Sequence, residues 1–152
     1  TDLRLGIPLP VEGRRVVCDL VNTGVPHAVL FSPDVEQADV ALIGRRIRFH
    51  PELGPEGANV NFVETTGRNS IKVRTYERGV EGETLSCGTG AVASAVISYL
   101  KGKVEPPVEA RTQGGLLIVD FEVREGEVRE VYLDGEARIT YEGKIELARQ
   151  TC

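Results

Sequence analysis

The stretch SCGTGAVASAVISYL, from Ser86 to Leu100, constrains this chain more than any other. The run after Gly90 is rich in alanine, the best helix former, and it is apolar around nearly the whole helical circumference. Ser94 and Ser98 are small enough to bury. We expect a helix over about Gly90 to Tyr99, with Lys101 just beyond it complementing the negative end of the helix dipole. A helix apolar on every side is stable only when other elements wrap it. At 152 residues the chain is long enough to supply one such domain with a core.

The wrapping elements read mostly as strands. The Pro- and Gly-containing segment from Thr1 to Glu12 suits an entering strand or linker. RRVVCDLV alternates Val16, Cys18 and Leu20 against Val17, Asp19 and Val21, then turns at Thr23 and Gly24 into PHAVLF. SPDVEQADVALIGRRIR predicts a short surface helix capped by Ser32, with Pro33 in its first turn, a buried side of Val35, Ala38, Leu42 and Ile43, and an interruption at Gly44. NVNFVE and NSIKVRTYE predict an antiparallel pair turning through Thr66 to Asn69. After Pro106 and Pro107, VEARTQ, GGLLIVDFEV, EVREVYLDG and EARITYEG read as successive short strands. The expected fold is α+β, an antiparallel, barrel-like sheet of about eight strands around a central helix.

Cys87 falls just before the first turn of that helix, where backbone N–H groups lack intrahelical partners and the peptide dipoles present partial positive charge. Gly88 and Gly90 allow close approach to this backbone. A thiol with the ordinary pKa of about 8.5 is only about 3% ionised at pH 7, and a helix terminus stabilises an anion by at most about 2 kcal/mol. The position therefore suits a thiolate, a bound carboxylate beside a thiol, or simply a small buried residue near a cap. Glu77 and Arg78 lie at the end of a strand, where site residues collect, although an exposed ion pair there is the plainer reading. His27 taken alone reads as a hydrogen-bonded structural histidine.

YERGVEGETLSCGTGAVASAVISYL resembles the second catalytic-cysteine motif of the diaminopimelate epimerases, VNTGVPHAVLF and GANVNFVE match further segments of that family in the same order along the chain, and TQGGLLIVDF looks like its hairpin after the central helix. These are cofactor-independent enzymes that invert the α-carbon of LL-diaminopimelate to the meso form. The resemblance covers nearly the whole chain. It implies that Cys87 is one of two cysteines facing each other across the substrate α-carbon. It further implies that Glu77 and Arg78 contact the substrate's amino and carboxylate groups, that Asn59 binds substrate, and that the backbone at Gly88 and Thr89 grips the carboxylate. His27 matches a histidine that tunes the cysteines, with Glu77 in a supporting role. Val25 departs from the pattern, since some family members carry a substrate-binding asparagine there, which leaves the distal specificity open.

The other cysteine of the family belongs to an N-terminal half with its own glycine-rich motif, and nothing like it occurs here. Cys18 sits in a strand-like run without a glycine turn, and Cys152 is the last residue. The resemblance thus implies a single domain over 1–152 equivalent to the C-terminal half of a two-domain enzyme. In that arrangement 1–12 enters or links, and 139–152 packs on the other half. The leading residue Thr1 is consistent with a piece of a longer polypeptide. The expected partners are an amino-acid substrate and the N-terminal half, with a homodimer allowed for.

The net charge of −5 argues against nucleic-acid and anionic-membrane partners. Three cysteines do not make a disulfide framework, so a reduced, cytoplasmic setting is expected, and no cofactor or metal site is expected. Three alternatives stand beside the epimerase. They are a racemase of another amino acid, a noncatalytic carboxylate-binding domain, and an acyl-transfer enzyme with Cys87 as nucleophile and His27 as base.

Overall fold

A computed structural model describes residues 3–146. Nine strands form one sheet: β1 (Arg4–Val11), β2 (Arg14–Asn22), β3 (Pro26–Phe31), β4 (Asn59–Gly67), β5 (Ser70–Glu77), β6 (Gly82–Thr84), β7 (Val108–Thr112), β8 (Gly115–Arg124) and β9 (Glu127–Gly135). They pair in the order β1-β2-β3-β4-β5-β7-β8-β9, with β6 hydrogen-bonded to β5. Among the described residues two α-helices complete the fold, α1 (Val40–Arg48) and α2 (Gly88–Leu100), with a short 3-10 turn at Pro51–Leu53.

The sheet is mixed, not antiparallel, and open, with β1 and β9 as its edges. The departure from antiparallel pairing has a topological cause. β3 pairs parallel with β4, and β5 parallel with β7. Parallel neighbours need a crossover connection, and each helix lies in one: α1 between β3 and β4, α2 between β5 and β7.

The two crossovers lie on opposite faces of the sheet. Val29, Val63, Ile71 and Val73 turn to one side and join α2, Val108, Val119 and Phe121 in one core. Their chain neighbours Ala28, Leu30 and Phe62 turn to the other side and join Leu9, Cys18, Val40 and Ile47 in a second. This is the two-residue period of a strand buried on both faces. α2 is buried along most of its length, as its composition requires.

α1 begins at Asp39, whose carboxylate caps the Leu42 N–H at 3.0 Å, so the predicted start at Ser32 is wrong. The segment before it is irregular because other groups hold it. Arg74 donates to the carbonyls of Val35, Glu36 and Ala38, and Glu64 accepts from the Val35 N–H. The buried side of the helix is Val40, Gly44 and Ile47, while Leu42 is exposed. Gly44 does not interrupt α1. It lets the helix approach Tyr76, where an added Cβ would lie 2.5 Å from the Tyr76 Cβ. Gly44→Ala should therefore cost about 1–3 kcal/mol by overpacking, despite alanine's advantage of about 1 kcal/mol in helices, read as a lowered urea midpoint.

The first segment is strand β1, with Leu9 and Val11 buried, and not a linker. The predicted strand EARITYEG does not form; residues 136–146 have no regular structure. No described helix is long and apolar enough to cross a membrane.

Candidate active site

On the α2 face of the central strands, the alternation that places Val29, Val63 and Val73 in the core continues as polar residues towards one end. These are His27 on β3, Asn59 and Asn61 on β4, and Thr75 and Glu77 on β5. Register brings them side by side. His27 pairs with Asn59, and Asn61 with Thr75. The N-terminus of α2 rests on this polar end.

Cys87 is the N-cap residue of α2, with extended backbone and no capping bond from its side chain. Its Sγ is buried and has Thr89 Oγ1 at 3.6 Å. Ala91 N–H returns to the Cys87 carbonyl at 2.9 Å, so the amides of Gly88, Thr89 and Gly90 precede the first helical bond. Gly88 and Thr89 line a cavity of about 760 Å³ with Asn22, Thr23, Val92 and Leu133. The cavity offers these amides a ligand-sized space, and its wall is mainly apolar. Gly90 does something different from Gly88. Its missing side chain leaves room for Asn61 Oδ1 and for Cys87 Sγ, which lies 3.2 Å from where a Cβ would stand. This glycine serves packing within the protein.

Asn59 is buried, and its Oδ1 accepts from the Arg78 N–H at 2.7 Å, fixing the chain as it leaves β5. The Arg78 guanidinium pairs with Glu56 at 2.9 Å. Glu77 has no side-chain hydrogen bond among the described residues. His27 is fully buried, and its Nδ1 lies 3.0 Å from Asn61 Nδ2. Its Nε2 is buried without a partner among the described residues. Beside His27 lies a second hollow, of about 200 Å³, walled also by Pro26, Glu52, Gly57 and Ala58. Val21 and Asn22 line both hollows.

Burial, and secondarily the charge of Arg78, lowers the His27 pKa from 6.5 to about 4. Because the folded pKa lies below the unfolded value, the unfolded chain takes up the proton first as pH falls. Stability should therefore decline between pH 6.5 and about 4, at about 1.4 kcal/mol per pH unit, or about 3 kcal/mol in all. His27→Gln should remove this component, measured as the difference between wild-type and variant urea unfolding at pH 7 and pH 4.5.

His27, Asn59 and Glu77 stand on the strands, Arg78 just past β5, Cys87 at the N-cap of α2, and Gly88 and Thr89 in its first turn; two further polar residues that the sequence reading did not single out stand among them. Asn61 and Thr75 are buried, polar and hydrogen-bonded to each other at 3.0 Å. The available signal was their position, since polar residues standing where strand alternation demands apolar ones need a reason to be there. Cys18 is no second site thiol. It lies in the core on the other face, and burial, then the neighbouring Asp19 charge, raises its pKa to about 11. Cys152 lies outside the described residues.

Residues 20–140 match the sequence model of the family described as Diaminopimelate epimerase. The chain is 50% identical over 139 residues to the diaminopimelate epimerase of Aquifex aeolicus, covering 90% of this chain and 49% of the relative. It is 45% identical to that of Methanocella arvoryzae, covering 91% of this chain and 46% of the relative. The chain thus spans about half the length of the curated relatives it matches. A crystal structure of a PhzF-family phenazine biosynthesis protein of Enterococcus faecalis shares the fold, with a TM-score of 0.50 and 20% identity over 64% of this chain and 34% of that one. With half of the residues aligned to one relative identical and the family's sequence model spanning its central strands and α2, the chain belongs to the diaminopimelate epimerase family.

Proposed function

We propose that this chain forms the C-terminal-type half of a pyridoxal-independent epimerase that converts LL-diaminopimelate to the meso form, in lysine and peptidoglycan-precursor biosynthesis. The observation that carries the reading is the thiol of Cys87 at the α2 N-terminus, free of any capping role and set against a polar strand end. An α-hydrogen beside a carboxylate is too weakly acidic for an unaided thiolate, so the carbanion must be stabilised as it forms. The free amides of Gly88 and Thr89 can do this by holding the carboxylate. Cys87 then exchanges a proton on one face of the α-carbon, and a cysteine of the other half serves the opposite face, which gives inversion. Asn59, Glu77 and Arg78 bind and orient the substrate's amino and carboxylate groups.

In the complete enzyme the sheet curls barrel-like around α2 as one of two pseudo-symmetric halves. The segment beyond β9 packs on the other half, a reading supported by Ile139, Tyr141 and Ile145, which are 84%, 86% and 84% exposed. The enzyme works in the cytoplasm, as its sparse cysteines, with Cys18 and Cys87 both free thiols, suggest.

Proton NMR of LL-diaminopimelate in deuterated water, with the full-length, reduced protein, tests the reading. Loss of the α-hydrogen signal with growth of the meso isomer is the expected result. No exchange, or exchange only with another amino acid, would overturn the substrate assignment.

A further inference from the structure

Asn61 is fully buried on β4, and its amide is fixed from three sides. Its Nδ2 lies 3.3 Å from the Ala28 carbonyl oxygen and 3.0 Å from His27 Nδ1, and its Oδ1 accepts from the Thr75 hydroxyl at 3.0 Å. A carbonyl oxygen can only accept, so the NH₂ group must point to Ala28 and hence also to His27. His27 Nδ1 must then accept, and the single ring proton of the neutral imidazole resides on Nε2.

We propose that Asn61 is a positioning residue that locks His27 as its Nε2–H tautomer, so that His27 serves the site as a hydrogen-bond donor and not as a proton acceptor. Two further observations bear on it. Nε2 is buried and has no protein partner among the described residues, so its N–H is not spent on this half's own side chains, and His27 lines the neighbouring hollow. A second proton could be placed only on Nδ1, against the Asn61 NH₂ group and in the field of Arg78. The charged side chains around the hollow, Arg4 and Glu52, belong to other elements.

The lock also removes the base that a nucleophilic Cys87 would need. His27 and Cys87 share no hydrogen bond, and Asn61 is packed against both the imidazole and the first turn of α2. The inference deepens the proposed epimerase by assigning His27 a donor role, but the tautomer is a property of the protein itself.

The test is long-range proton–nitrogen NMR on histidine-labelled full-length protein carrying His50→Gln, which leaves His27 as the one imidazole of this chain. The expected pattern is an unprotonated Nδ1 and a protonated Nε2, unchanged through the range where an ordinary histidine ionises. In Asn61→Asp the carboxylate can only accept, so the proton should move to Nδ1 and the ring should begin to titrate. A protonated Nδ1 in the wild type, or the same pattern in Asn61→Asp, would overturn the lock. If Asn61→Asp does not fold, the wild-type spectrum alone still decides the tautomer. The expected spectrum in a protein that exchanges no α-hydrogen would leave the lock standing and sink only the epimerase.

Discussion

Cys87→Ser in the full-length protein is expected to lower kcat for α-hydrogen exchange by about 10²–10⁴-fold, the usual contribution of a positioned acid or base. KM should move little, because the proposed reading has the substrate held by the amides of Gly88 and Thr89 and by Asn59, Glu77 and Arg78. The serine hydroxyl is a far weaker acid than a thiol, so it cannot carry the proton between turnovers. Stability offers the control. The thiol makes no capping bond, whereas serine is among the preferred N-cap residues and can accept from an amide of the first turn. The variant should therefore unfold at an equal or higher temperature. A fully active Cys87→Ser enzyme would remove the thiol from the mechanism.

The largest stability effect is expected away from the site, at Lys101. Lys101 is the C-cap residue of α2, and its Nζ lies 2.9 Å from both carboxylate oxygens of Asp19 on β2. Asp19 is only 2% exposed, and its Oδ1 also accepts from the Gly6 N–H of β1 at 2.7 Å. The pair ties the C-terminal end of α2 to β2, and through the Gly6 N–H to the edge strand β1. Lys101→Met would keep the aliphatic stem and leave a buried carboxylate with one backbone donor. Removing one partner of a buried pair costs about 3–5 kcal/mol. The lysine is 30% exposed, so water can replace part of what is lost and about 3 kcal/mol is expected, as a drop in the free energy of urea unfolding. The double variant Asp19→Asn/Lys101→Met should recover much of it. If the single variant unfolds like wild type, the pair contributes nothing.

The two crossovers show where reading the chain as a string of hairpins fails. Strand alternation located β2 to β5 and β7 to β9 closely, because each strand's period is a local property of its residues. Whether neighbours run parallel depends on whether the connection crosses over the sheet or turns straight back, and no single strand records that. The misplaced start of α1 has the same origin. Ser32 and Pro33 satisfy the local rules for a helix start. Arg74 and Glu64, thirty or more residues away, hold the intervening backbone in another path.

For the site, the sequence by itself determined the all-apolar helix, the cysteine at its start and the segments that mark the family, because these depend on residue type and close spacing. Only the tertiary structure decided that Asn61 and Thr75 join His27, that Gly90 makes room for Asn61 beside Cys87, and that Asn61 faces the Nδ1 of the imidazole. The physical reason is that a hydrogen-bond partner across a sheet is chosen by strand order and register. In this chain those follow from two helices on opposite faces of one mixed sheet.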